Sequence, residues 1–243
     1  MMRFICFLLA LTLVFSLCAC GNEDIVNEDE SKSNDATENV VESEDISYRV
    51  GDYITFGSYE QDNNFDNDAE EIEWLILDIQ DGKALVISKY ALHAKTYNTY
   101  RDTTWEDCTL RQWLNDDFMN FAFSADEQQK IQFTTVVAED NEEYGTEAGK
   151  DTQDKIFLLS ISEAEDYFDS DEARECKATE YAIAEGCWTS SSDDYYGNCW
   201  WWLRSPGCSQ SSAAGVNGVG SISDYGVNYG FCAIRPAMWI EIE

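Results

Sequence analysis

The chain holds a single histidine, His93, so neither a histidine-based catalytic triad nor a multi-histidine metal site can be assembled within it. One imidazole can still serve as a base, but His93 follows a strand-like segment, between Leu92 and Ala94, where a structural role is the simpler reading. Carboxylates present the opposite difficulty. There are 48 of them, and no pair stands out as the acid and base of a glycoside hydrolase. An enzyme acting on cell-wall or surface polymer through carboxylates therefore stays open, with no catalytic residue to name.

Residues 62–73 carry oxygen ligands at alternating positions, Asp62, Asn64, Asp66 and Asp68, and end in Glu73, loosely imitating a calcium loop. Such a loop needs glycine at its sixth position and a helix after it. Here the sixth residue is Asn67 and a strand-like run follows, so a solvated acidic hairpin loop is the competing reading. Calcium is the one cofactor these residues suggest.

Arg204 and Arg235 are scarce positive charges in a chain of 15 basic residues, each at the end of an apolar run. They either make ion pairs that lock a sheet or reach an anionic ligand. Trp200, Trp201 and Trp202 alternate across a strand, so one face is core and the other is free to stack on a sugar. Residues 209–229 are almost wholly Ser, Ala, Gly, Asn, Asp, Val and Tyr. Tyr225 and Tyr229 would be rigid amphipathic anchors and Asn217 and Asn228 adaptable hydrogen-bonders, as in an antibody-like paratope. Turn-rich hairpins share that composition, which is the plainer alternative. The candidate ligand-binding set is Trp201, Arg204, Asn217, Tyr225, Asn228 and Tyr229.

Six cysteines follow residue 20: Cys108, Cys176, Cys187, Cys199, Cys208 and Cys232. An even number outside the cytosol favours disulfides, with fifteen pairings open, and free buried thiols are the alternative.

The elements that must position these groups can be read from pattern. Residues 53–57 and 72–79 are rich in β-formers, and Asp81-Gly82 joins the second run to a returning strand at 84–88. Leu110, Trp113, Leu114, Phe118 and Phe121 recur at helical spacing and predict one amphipathic face. Ser124 with Glu127, and Ser162 with Glu165, read as capping boxes, and a last helix over 180–185 stops at Gly186. Strands are expected at 133–137, 155–160, 199–203, 213–216, 219–222, 231–234 and 238–242, with residues 204–207 as a turn. Strands, then helices, then strands again indicate one α+β domain of antiparallel strands and short helices over residues 48–243.

Ahead of that domain, Met1-Met2-Arg3 and the apolar run 4–17 read as a secretory leader too short to span a bilayer comfortably. Leu17-Cys18-Ala19-Cys20 resembles the bacterial lipobox, which implies a signal peptide over 1–19 and a lipid on Cys20. Residues 20–47 are acidic, polar and without period, the composition of a disordered tether. A net charge of −33 repels phosphate and sets nucleic acid aside as a partner.

From residue 50 onward the chain resembles a family of secreted bacterial domains of unknown function. The residues concerned are Trp200-Trp201-Trp202-Leu203-Arg204-Ser205-Pro206-Gly207 and Ile234-Arg235-Pro236-Ala237-Met238-Trp239-Ile240, together with Gly57-Ser58-Tyr59, Ile72-Glu73-Trp74-Leu75, Leu110-Arg111-Gln112-Trp113-Leu114-Asn115 and Phe157-Leu158-Leu159-Ser160. The tail of that family is similar to the C-type-lectin-like fold of formylglycine-generating sulfatase modifiers and of variable surface proteins. The resemblance implies a C-type-lectin-like C-terminal half whose loops set the ligand. It also brings in the copper-bound thiol pair of those modifiers, but Cys199 and Cys208 are more widely spaced than that pair and lack its surroundings. The expectation is a lipoprotein on the extracellular side of the cell membrane, held by its lipid anchor, that binds a glycan or protein ligand through residues 207–230. The surface-polymer enzyme and a structural envelope protein are the alternatives.

Overall fold

The computed structural model describes residues 47–99 and 102–242. The expected leader, Cys20 and the expected tether up to residue 46 lie outside the described residues.

Among the described residues eleven strands form three sheets. The first sheet contains β1 (Tyr53–Tyr59), β2 (Glu70–Gln80), β3 (Lys83–Ser88) and β11 (Ala237–Glu241), in the order β1-β2-β3-β11. The β2–β3 hairpin is closed as its sequence requires: Asp81 and Gly82 both take positive φ, 48° and 73°, the twisted turn that suits paired strands. On β2, Ile72, Trp74 and Ile76 face the core, and the Trp74 indole donates to Phe56 O at 2.7 Å. Strand β11 pairs antiparallel with β3, Ala237 opposite Ile87, so the end of the domain completes the sheet begun by its start.

The second sheet has the order β4-β10-β7-β8-β9, from β4 (His93–Ala94), β7 (Trp201–Pro206), β8 (Ser212–Val216), β9 (Ile222–Gly226) and β10 (Ala233–Ile234). Its pairs are antiparallel except β10 with β7. Every residue of β7 is buried, as an apolar run in the middle of a core must be. Residues 204–206, expected as a turn, instead continue β7, with Pro206 opposite Ala213. A two-stranded ribbon, β5 (Thr134–Val136) and β6 (Thr152–Asp154), completes the strands, and residues 155–160 contribute a single bridge, Phe157 to Ala237, where a strand was expected.

The helices are short. α1 (Thr109–Trp113), a π turn (Leu114–Phe118) and α2 (Met119–Ala122) run on as one element, followed by α3 (Ala125–Lys130), α4 (Ile161–Tyr167), α5 (Asp171–Arg174) and α6 (Glu180–Ala184). The π turn inserts an extra residue into the helical count. Leu110, Leu114 and Phe118 are buried as expected, but Phe121 is rotated outward and 74% exposed, and Met119 and Ala122 take its place inside. Ser124 caps α3 with Glu127 in the expected capping box. The box at α4 is Ser160 with Glu163, two residues before the expected pair, and Glu163 is held there by a second partner. That partner is Arg204 of β7, whose guanidinium meets the Glu163 carboxylate through both terminal nitrogens. The whole is an α+β domain around one apolar core.

Candidate functional site

Strand β9 alternates. Ile222 and Asp224 face one side of the β8–β9 ribbon and Tyr225 the other. On the Tyr225 side lies a ladder of rings. Tyr225 stacks on Trp200 with centroids 4.8 Å apart and planes at 17°, and Trp188 continues the stack at 4.8 Å. Phe231 meets Trp200 edge-on at 5.5 Å, and Tyr229 lies 5.0 Å from Phe231. The ladder is anchored below, where Tyr225 packs edge-on against fully buried Trp202. Its ends reach solvent, with Trp188 42% and Tyr229 45% exposed.

The backbone makes room for these rings. A Cβ on Gly215 would stand 2.9 Å from Trp201 O and 3.0 Å from the Tyr225 ring, so that ring lies flat against β8 only over a glycine. Burial, then the neighbouring Cys232 thiol, pushes the Tyr225 hydroxyl up to about 12, so it stays protonated and able to donate at neutral pH.

Of the six residues expected to bind ligand, Tyr225, Tyr229 and Asn228 gather here, and exposed Asn228 lies beside Tyr229 at the ribbon's end. Asn217 holds the β8–β9 turn, its Oδ1 accepting from Val219 N and Ser221 N at 3.0 and 3.1 Å. Trp201 and Arg204 require correction. Trp201 is wholly buried, its indole donating to Arg174 O at 3.2 Å, and the Arg204 guanidinium is committed to Glu163 and to Leu158 O. Both faces of β7 are covered, so exposure falls on Trp200, just before the strand begins. Trp188, Trp200 and Phe231 were absent from the expected set. Trp200 lies on the same strand face as Trp202, but only the packed fold distinguishes it from Trp201, and nothing local marks Trp188.

The other side of the ribbon borders an open cleft of about 1050 Å³. Six carboxylates line it, those of Glu139, Asp140, Glu142, Glu143, Glu165 and Asp224, with no Lys or Arg among the lining residues. Its far wall, the 138–147 loop, is held by buried Asn141. That side chain donates to Pro206 O at 2.9 Å and accepts from Glu143 N and Tyr144 N.

The acidic loop at 62–73 is built differently from a calcium loop. Oxygens of Glu60, Asp62 and Glu70 lie within 4.8 Å of one another, but Glu73 points away and pairs with Lys89 at 2.7 Å. Asp66 and Asp68 stay outside that group. The loop's own donors already engage the converging carboxylates: Gln61 N meets Glu70 at 2.7 Å, Asn64 N meets Glu60 at 2.9 Å, and the Asn67 amide meets Asp62 at 3.0 Å. His93 is packed on Trp113 at 5.0 Å and shares a hydrogen bond with the Tyr59 hydroxyl at 3.3 Å. Burial, aided by Lys95, lowers its pKa from 6.5 to about 4, leaving a neutral imidazole inside an aromatic box.

Residues 81–242 match the family described as "Domain of unknown function (DUF6273)", and the chain belongs to that family. The match takes in the ring ladder and the cleft but starts in the β2–β3 turn, so β1 and β2 lie outside it while sharing a sheet with β3. No curated protein and no solved structure matches the chain.

Proposed function

We propose, from the premise of its DUF6273 membership, that this is a recognition protein. In this reading a lipoprotein is held through Cys20 at the outer side of a bacterial cell membrane, and its domain binds an extracellular glycan or protein. The observation that carries the reading is the ladder Trp188–Trp200–Tyr225 with Phe231 and Tyr229: rigid rings anchored on buried Trp202 and wet at both ends. Flat faces held in this way stack on sugar rings and make the anchor residues of protein interfaces. Asn228 beside them adds an adaptable donor and acceptor. The leader and lipobox support the location, and among the described residues no helix is long and apolar enough to cross a membrane.

The test is an array of glycans and extracellular proteins probed with the purified protein, with calcium and with chelator. Saturable binding that is lost in Trp188→Ala and Tyr229→Ala is the expected result. A blank array under both conditions sinks the reading. The calcium arm decides whether the Glu60, Asp62 and Glu70 oxygens take an ion.

A second reading is favoured by the acidic cleft, where an enzyme acting on surface polymer would be seated. Turnover of a cell-wall polymer, lost in Asp224→Asn or Glu165→Gln with the fold intact, would establish it in place of the first.

A further inference from the structure

Four of the cysteines meet beneath the ring ladder. The bridge between Lys177 and Asn198 is antiparallel, and Cys199 N donates to Cys176 O at 2.8 Å, so Cys176 and Cys199 face each other on neighbouring segments. The thiols of Cys176 and Cys199 are near enough to shift each other's ionisation, as are those of Cys199 and Cys187. Trp188 N donates to Phe231 O at 2.9 Å, which sets Cys187 beside Cys232, and all four side chains are buried. The sulphurs run in a chain and do not converge. Among the described residues no three of these thiols lie mutually within 4.8 Å, so the arrangement suits sulphur–sulphur chemistry better than a tetrahedral ion.

Arg235 supplies an independent observation. Its guanidinium is 4% exposed, sits 5.2 Å over the rings of both Phe168 and Trp201, and donates through Nε to Ser88 O at 2.9 Å. Its Nη1 has no hydrogen-bond partner, and among the described residues no carboxylate pairs with it. A buried cation without a counter-ion is strongly unfavourable, and the charge of Arg235 acts on the Cys176 thiol. Burial opposes ionisation of that thiol. The neighbouring Cys199 thiol, and after it Arg235, outweigh burial and bring it down to about 7, while the Cys176 and Cys187 thiols, and then burial, push Cys199 up.

We propose that Cys176 and Cys199 are a redox-active pair, with Cys176 the thiolate that balances Arg235, and with Cys187 placed to exchange onto Cys199. The oxidant is a hydroperoxide, small enough to enter a packed site. The Cys176 thiolate attacks the terminal oxygen of hydrogen peroxide. The O–O bond breaks, Cys176 becomes a sulfenic acid, and the departing hydroxide takes a proton to leave as water. Cys199, giving up its proton, attacks the Cys176 sulphur, and the sulfenic oxygen leaves as a second water. Two thiols and one peroxide thus yield one disulfide and two waters. Facing residues of an antiparallel ladder have Cα atoms about 5.5 Å apart, inside the range a disulfide needs. Attack of the Cys187 thiolate on the Cys199 sulphur would then move the bond to Cys187–Cys199 and return the thiolate to Arg235.

The test uses the full chain, reduced and then treated with one equivalent of hydrogen peroxide. Remaining thiols are alkylated under denaturing conditions and the protein is digested without reduction. Cys199 should be found linked to Cys176 or Cys187, and all such links should vanish in Cys199→Ser. Cys199 recovered fully alkylated while exposed Cys208 is oxidised would overturn the proposal. A second measurement reads the thiolate directly by its ultraviolet absorbance against pH. A step near neutrality should be present in the wild type and in Cys187→Ser and absent in Cys176→Ser. Its persistence in Cys176→Ser would overturn the assignment of the thiolate to Cys176.

Discussion

Arg204 and Glu163, 41 positions apart, are joined through both guanidinium terminal nitrogens, and the same Glu163 carboxylate accepts from Ser160 N at 3.0 Å to close the start of α4. One carboxylate therefore satisfies a buried cation and caps a helix, tying the central strand of the second sheet to the helix that crosses it. Glu163→Gln should lower stability by about 3 kcal/mol, the low end of the range for breaking a buried pair, because Glu163 is itself 32% exposed. Urea unfolding reads the change, and Arg204→Met combined with Glu163→Gln should recover part of it. A single-variant loss of under about 0.5 kcal/mol, the level of an ordinary surface substitution, would show that the pair does not lock the sheet.

The recognition role proposed for the ring ladder is separable from folding. Trp188→Ala and Tyr229→Ala should each cost about 1–2 kcal/mol, the worth of one half-exposed ring contact. Each should weaken ligand binding more than tenfold, as expected of an interface anchor. Trp201→Ala should instead lose about 3–5 kcal/mol, since it empties a fully packed site. Thermal melts run alongside titrations distinguish the two classes.

Gly215→Ala tests the seat of the ladder. The added carbon would sit 3.0 Å from the Tyr225 ring and 2.9 Å from Trp201 O, which is backbone and cannot swing aside. Tyr225 must move off Trp200, at a cost of about 1–3 kcal/mol. The near-ultraviolet dichroism of the stacked pair should fall, and an unchanged spectrum would show that β8 yields instead.

His93 should make the domain acid-labile in a defined window. Its folded pKa, about 4, lies below the ordinary 6.5, so between these values the unfolded chain binds a proton that the folded one refuses. Stability from this group is complete above pH 6.5 and declines as pH falls toward 4, by up to about 3 kcal/mol. Melting temperature followed from pH 7 to pH 4 should show the decline, and His93→Gln should flatten that part of the curve.

Much of this was legible wherever the determining contacts are local. The Asp81-Gly82 hairpin, the Ser124–Glu127 cap and the stop of α6 at Gly186, whose φ is 104°, each depend on a few adjacent residues, and each formed as expected. The failures are non-local. Phe121 faces solvent because a π turn changed the helical phase, and no periodicity rule carries that insertion. Ser160 and Ser162 both begin a Ser-x-x-Glu box, and the choice fell to Ser160 because Arg204, far along the chain, fixes Glu163. Trp200 and Trp201 are equivalent by type. Only the layers covering both faces of β7 decide which of them meets solvent. Of the ring ladder, Tyr225 and Tyr229 could be named from composition, while Trp188 required the fold.

Strand β11, Ala237–Glu241, pairs with β3, whose partner residues are about 150 positions earlier. During synthesis the β2–β3 hairpin is made early, yet one edge of β3 keeps its amides and carbonyls open until the last strand has emerged. Closure therefore waits for β11 and proceeds through contacts of high sequence separation, a slow class of event. A nascent chain that cannot close early keeps that edge of β3 free to pair until β11 reaches it.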